Sequence, residues 1–374
     1  MDLSLDDEQQ LFKRSARKFL ETYCDKSVVE ELETSESGFS PDLWKGMAEL
    51  GWMGVPLPSE YGGLESSLLE LAVLFEEVGR AAMSGPLLET VTAALCIVES
   101  GTSEQKSSLL PSIAQGGLVL TLAIAEPEVN YDPSLISARA VREGDRYVIE
   151  GIKRFVPYAT VSDRLLVAAR TSGTPGDEAG ITIFVVDREA PGISFSPMST
   201  LAPNKQFDVR LDAVSVSGGS VLGEVDGGCR VLRNPHKTAA ALQCAEMVGG
   251  AQKELEMTAE YVKVRHQFDR PIGSFQAVQH RIADMFIDVN GARLAAYRAL
   301  WCLSQGMEAD WEVSVAKYFT NKASQRVAFS AQQLHGGIGV SLEYDLHFYY
   351  RRAKAFELKF GPQALHLGRL GEML

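Results

Sequence analysis

The sequence predicts an α+β chain in three parts: helical, then β, then helical again. Three observations predict it. Amphipathic helical periodicity runs through about residue 117, short apolar strands with Gly, Asp and Pro turns fill the next stretch, and long apolar stripes at helical spacing return beyond about residue 229. At 374 residues the chain can bury one large core or two to three subdomains. The expected division is 1–117, a helical domain; 118–228, a small β-barrel or sandwich; and 229–374, helical.

Taken in order, Ser4 followed by Asp7 reads as a helix start, and Phe12, Ala16, Phe19 and Tyr23 then share one face. Residues 42–50 form a second helix stopped by Gly51. Residues 54–63 are rich in Pro and Gly and read as a loop, before further amphipathic helices at 66–83, 86–100 and 103–114. Residues 118–125 are continuously apolar and strand-like, and short strands follow at 147–152, 164–169, 181–186 and 206–211. Beyond Glu246, Met247, Ala251, Leu255, Thr258 and Val262 form one buried helical stripe, which Pro271 and Gly273 stop. Val278, Ile282, Met285, Val289 and Ala292 restart the pattern. The connector of this helical hairpin holds Arg265 among Gln267, Phe268 and Gln276. An arginine fork at a helix end suits a pyrophosphate, although on these residues alone a plain surface arginine is the simpler reading.

Hydrophobic content of 45% and charged content of 23% are those of an ordinary soluble globular protein. The net charge of −13 should repel nucleic acid and anionic membranes. Cys24, Cys96, Cys229, Cys244 and Cys302 are scattered, with no pair or His cluster at metal spacing, so reduced thiols in a cytoplasmic protein are expected. The acidic first residues are unlike a signal peptide, and no apolar run approaches the ~20 residues of a membrane span.

Two motifs carry a family resemblance. Tyr261-x-x-x-Arg265-x-Gln267-Phe268, followed shortly by Phe275-Gln276, and then Gln333-Leu-His-Gly-Gly-Ile-Gly339, resemble in sequence and order those of the acyl-CoA dehydrogenases. The likeness runs from about residue 3 to about residue 360; Asp269 departs from it, standing where the family usually has glycine. The resemblance implies an N-terminal helical domain, a middle β-domain and a C-terminal four-helix bundle. It implies FAD lying between the β-domain of one subunit and the bundle of a neighbour, and α,β-dehydrogenation of an acyl-CoA thioester. In that reaction a glutamate removes the α-proton while a hydride leaves to the flavin, with an electron-transfer flavoprotein as acceptor. By the same resemblance, Arg265, Gln267, Phe268, Gln276, Gln333, Gly336 and Gly337 would contact the adenosine and pyrophosphate of a partner subunit's cofactor. Tight helix packing is a common explanation of a Gly-Gly pair, but it is the weaker one here, because the pair and Arg265 fit one family site together; His335 is expected to be a packed or capping histidine.

The departures from the family are concentrated in groups that, by the same resemblance, would touch the flavin ring or the thioester. Residues 351–362 align without a gap and put Phe360 at the base, followed by Gly361 and by Pro362 for threonine. The family's other base position falls on Ala239, with Ala240 in place of arginine. Neither side chain can accept a proton. Glu357 lies one turn from Phe360 and is the near substitute, expected to face solvent. Ala125-Glu126-Pro127 stands for Thr-Glu-Pro, Asn130-Tyr131-Asp132 for Gly-Ser-Asp, and Lys153-Arg-Phe-Val-Pro157 for Lys-x-Trp-Ile-Thr. Phe155 keeps an aromatic surface, but Pro157 has neither hydroxyl nor backbone donor. Kept tail contacts with a lost base resemble the non-catalytic subunit of actinobacterial α2β2 heterotetramers of steroid side-chain degradation, so the substrate suggested is a steroid–CoA thioester. The alternatives are a homotetrameric dehydrogenase with a relocated base, Glu357 or Glu246, and a non-redox binding or assembly protein.

Overall fold

The computed structural model describes residues 5–128, 131–201 and 204–374. The helices are Asp7–Tyr23 (α1), Lys26–Thr34 (α2), Pro41–Glu49 (α3), Leu68–Arg80 (α4), Leu87–Ser100 (α5), Ser103–Ala114 (α6), Gly228–Val264 (α7), Gln276–Ser304 (α8), Asp310–His335 (α9), Leu346–Leu358 (α10) and Gln363–Glu372 (α11). The strands are Leu120–Ala123 (β1), Arg139–Glu143 (β2), Arg146–Pro157 (β3), Arg164–Arg170 (β4), Ile181–Asp187 (β5), Ile193–Met198 (β6), Gln206–Ser217 (β7), Val221–Leu222 (β8), His266–Gln267 (β9) and Arg270–Pro271 (β10). The α+β order of the sequence reading holds, with α2, β2, β6 and the two-residue strands β8, β9 and β10 added to it. Among the described residues no helix is long and apolar enough to cross a membrane.

The chain packs as two units. One comprises Glu31–Ser66 and Ser84–His236. Its sheet runs β6-β7-β3-β2-β4-β5-β8, with β1 pairing parallel to β4. β4 explains why its sequence is apolar without alternation: both of its faces are covered. Leu165, Val167 and Ala169 join Tyr147, Ile149, Phe184 and Val209 in a core between strands, whereas Leu166 and Ala168 pack with Ile97 of α5 and Leu110 and Ile113 of α6. The apolar run 118–125 contributes only four residues of strand, because β1 ends where the chain turns to place Ala125 and Glu126.

The other unit comprises Met1–Glu30, Ser67–Met83 and Lys237–Leu374. α1 starts at Asp7 and is capped by Asp6, whose carboxylate accepts from Gln9 N–H at 2.8 Å while the Gln9 amide accepts from Asp6 N–H. The Ser4 start is therefore replaced, and Ser4 itself lies outside the described residues. The buried face of α1 is Ala16 and Leu20; Tyr23, expected on that face, is exposed. The predicted stripe of α7 is buried throughout, and Val248, Ala251 and Leu255 share a core with Met285, Val289, Ala323, Val327 and Leu346. Truncating Leu255 to alanine there would cost about 2–5 kcal/mol.

α4 and α7 cross at glycines. A Cβ on Gly79 would lie 1.8 Å from Glu246 O, and one on Gly249 would lie 1.8 Å from Glu76 O, so any side chain would force the helices apart. That close crossing sets Glu76 deep among cations. Burial alone would raise its carboxyl, but Arg293 and Lys13 outweigh burial and hold it below the usual range, with the Tyr297 hydroxyl donating at 3.1 Å.

Candidate functional site

The connector after α7 is shaped by its backbone. α7 ends at Val264, well before Pro271, and the next residues pair as a two-residue β-hairpin, Gln267 opposite Arg270 and His266 opposite Pro271. The turn residues Phe268 and Asp269 have φ of +53° and +62°, the left-handed pair of a type I′ turn. This is where the family's glycine is replaced. Aspartate tolerates that region, whereas a bulky phenyl there is an outlier. Phe268 is 87% exposed. Its ring meets Phe275 edge-on at 6.1 Å, and the Arg270 guanidinium covers the Phe275 ring at 4.0 Å. Ile272 N–H donates to Arg265 O at 2.8 Å and closes the connector.

Arg265 is exposed, and among the described residues its guanidinium has no hydrogen-bond or ion-pair partner. One turn earlier, Tyr261 stacks on His335 with ring centroids 4.4 Å apart and planes 25° apart. That stack joins the connector to the end of α9. His335 Nδ1 lies 2.8 Å from Ala331 O, and its Nε2 lies 3.2 Å from the Tyr344 hydroxyl. Gly336 follows at φ +65°, ψ −140°, a region open only to glycine. Gly337 has neither a positive φ nor a neighbour that a Cβ would meet. Helix packing therefore does not account for Gly337, because nothing among the described residues lies within 4 Å of where its Cβ would be. Gln267, Gln276, Gln333, Gly336 and Gly337 are all exposed. An unpaired guanidinium, open glycine backbone and exposed amides in one unit fit the phosphates and ribose of a dinucleotide.

At the expected base position the backbone is built with care, although its side chain is phenyl. Phe360 has φ +61°, and its carbonyl accepts from His366 Nε2 at 3.0 Å. Asn321 donates to Glu357 O and Gly361 O, both at 3.2 Å. Lys317, fully buried, donates to Phe356 O at 2.6 Å and Asn321 Oδ1 at 3.0 Å. Burial brings the Lys317 ammonium down to a pKa of about 8. The sequence reading missed this clamp. Its signal is a polar stripe, Ser314, Lys317, Asn321 and Ser324, at the inward phase of α9, all buried.

Glu357 corrects an expectation. It does not face solvent: it is 8% exposed, and its carboxylate accepts from Lys354 at 3.0 Å. The phase of α10 that carries Phe356 inward carries Glu357 with it. Ala239 is fully buried, and Glu246 is buried with Gln243 donating to it at 2.7 Å.

In the other unit the worn flavin motifs come together. Arg154 N–H donates to Ala125 O at 2.8 Å, which sets β3 beside the Ala125-Glu126-Pro127 turn. Fully buried Lys153 meets Glu126 at 2.6 Å, and Glu126 also accepts from Ser137 and Ala138 N–H. Burial draws the Lys153 ammonium down to a pKa of about 8, with Glu126 opposing it. A register shift between Lys153 and Val156 places Phe155 at φ +54° with its ring half exposed. Pro157 O accepts from the Thr121 hydroxyl at 2.7 Å. Tyr131 is exposed, Asp132 caps the turn at Pro133–Leu135, and Asn130 lies outside the described residues.

Comparison with known proteins accounts for this arrangement. Residues 6–117, 121–214 and 226–374 match the N-terminal, middle and C-terminal domain models of acyl-CoA dehydrogenase. The chain is 31% identical over 361 residues to the 3-(aryl)acrylate reductase of Clostridium sporogenes, covering 95% of each. Among solved structures it is similar to a variant of the Tcur3481-Tcur3483 steroid ACAD, with a TM-score of 0.88, 34% identity, and 98% and 97% of the two chains covered. It is also similar to the ChsE4-ChsE5 complex from Mycobacterium tuberculosis, with a TM-score of 0.90, 29% identity, and 100% and 98% covered. All three domains and nearly the full length agree, so the chain belongs to the acyl-CoA dehydrogenase family, whose members are FAD-dependent oxidoreductases.

Proposed function

We propose that this chain is the non-catalytic subunit of an α2β2 acyl-CoA dehydrogenase, lending the helices after residue 228 to a partner's FAD. The observation that carries the reading is a contrast between two regions. The surface joining Arg265, the Tyr261–His335 stack and Gly336–Gly337 is open, whereas both base positions, Phe360 and Ala239, lack a carboxylate. Arg265 would pair with the diphosphate, Gly336 and Gly337 would admit the ribose or phosphate to the backbone, and Gln267, Phe268, Gln276 and Gln333 would line the adenosine. Bound in the partner, the flavin accepts the β-hydride of an acyl-CoA. A steroid–CoA thioester is the substrate that the steroid ACAD relative favours. An electron-transfer flavoprotein is the acceptor on this reading, and the domain division is 1–117, 118–228 and 229–374.

A homotetramer with a relocated base draws less support, because Glu357 is engaged by Lys354 and Glu246 is buried. The test is to co-express the chain with a complete dehydrogenase subunit and measure flavin per protomer. One flavin for every two chains is expected. Full flavin occupancy and turnover in this chain alone would overturn the proposal, and a flavin-free complex inert toward every acyl-CoA would mark an assembly protein.

A further inference from the structure

We infer that His335 is a positioning residue whose neutral imidazole holds the Gly336–Gly337 turn against the Arg265 connector, so that the chain's hold on a partner's dinucleotide loosens when the ring takes a second proton. The inference rests on the half-site reading and names the group that sets its strength. Ala331 O can only accept, so His335 Nδ1, 2.8 Å away, carries the hydrogen. In the neutral ring Nε2 is then the acceptor, and the Tyr344 hydroxyl at 3.2 Å is its donor. Both nitrogens are matched in this single tautomer, and the ring face is taken by Tyr261. The rigid result fixes the residue immediately before Gly336, whose φ leaves no side chain to fix it otherwise.

Protonation would reverse the Tyr344 bond and put a full charge into a buried site. The groups that face it are Tyr261 from α7, the Ala331 carbonyl from α9, and Tyr344 ahead of α10, with Asp345 next to Tyr344 in the chain. Asp345 is already paired with Lys26 at 3.1 Å, and no carboxylate contacts the ring among the described residues. Burial accordingly lowers the imidazole below its ordinary value, with the Ala331 carbonyl opposing.

The test measures flavin release from the co-expressed complex between about pH 5 and about pH 8, the range in which histidine titrates. Retention should fall below about pH 6.5, approaching about tenfold per pH unit. His335→Asn keeps a donor for Ala331 O but cannot titrate, so its retention should be weakened and flat with pH. Tyr344→Phe removes the donor that favours the neutral ring, so its retention should be weaker at neutral pH and should fall less toward acid than the wild type's. Both variants following the wild-type profile would overturn the inference. Arg265→Ala separates the two readings. If it leaves retention unchanged, the half-site reading fails; if retention collapses while the His335 and Tyr344 variants behave as wild type, only this inference fails.

Discussion

Glu254 offers a quantitative test of the helical unit. It sits on α7, is fully buried, and its Oε1 has no hydrogen-bond partner. Burial is the cause acting on it, and it raises the carboxyl well above the ordinary value. The folded state therefore keeps a proton that the unfolded chain releases at about pH 4.3. The sign follows: stability contributed by the neutral group is fully present below that pH and is lost as pH rises toward the raised folded value. Within that window the loss is about 1.4 kcal/mol per pH unit. Glu254→Gln retains the shape and the unpartnered oxygen but cannot ionise. Its advantage over the wild type should widen by the same amount per pH unit, or roughly 4 °C in Tm for a unit of this size. Glu254→Leu also removes the unsatisfied oxygen and should gain about a further 1–3 kcal/mol. Melting curves at stepped pH from about 5 to about 8 decide the matter, since that span lies above the unfolded carboxyl pKa. Parallel wild-type and Gln curves would refute the buried-acid argument.

Other expectations are direct. Gly337→Ala should leave the melting temperature of the lone chain unchanged, since the methyl meets nothing there. In the complex it should cut flavin retention about tenfold, the effect of an intruding methyl on a packed contact. Asn321→Ala strands two carbonyls, Glu357 O and Gly361 O, and should cost about 2–4 kcal/mol by thermal denaturation. Phe360→Glu should fold, because backbone groups hold that turn, yet should add no turnover to the complex. A second active site per dimer in that variant would count against the half-site proposal.

The fold was legible because its helices are amphipathic and its central strands apolar. The buried stripe Met247, Ala251, Leu255, Thr258 and Val262 was read residue by residue. Less visible were elements with a short or interrupted apolar pattern, such as β6, with its mixed Ser-Phe-Ser-Pro pattern, and α2, short and charged, which buries only Val29 and Leu32 deeply. The phase of Glu357 was misread, because a single glutamate near a helix end carries no information about which neighbour covers it. The Lys317–Asn321 clamp was hidden for the opposite reason: buried polar pairs look like solvated ones until the carbonyls they serve are in place. Arg265 and the glycines were legible only through the resemblance, since chemistry alone favours a surface arginine.

The hairpin at Phe268 and Asp269 has a thermodynamic corollary. A bulky side chain held in left-handed backbone is costly, of order 1–3 kcal/mol at Phe268 and less at the tolerant Asp269, and folding rather than association bears that cost. The strand pairing on either side and the edge contact with Phe275 hold the tip, and the phenyl ring stands out already aimed. Any molecule that receives it is spared the ordering penalty of about 0.5–1.5 kcal/mol that a floppy side chain would exact. Relaxing the turn with Asp269→Gly would make the protein more comfortable by itself and less well prepared for company.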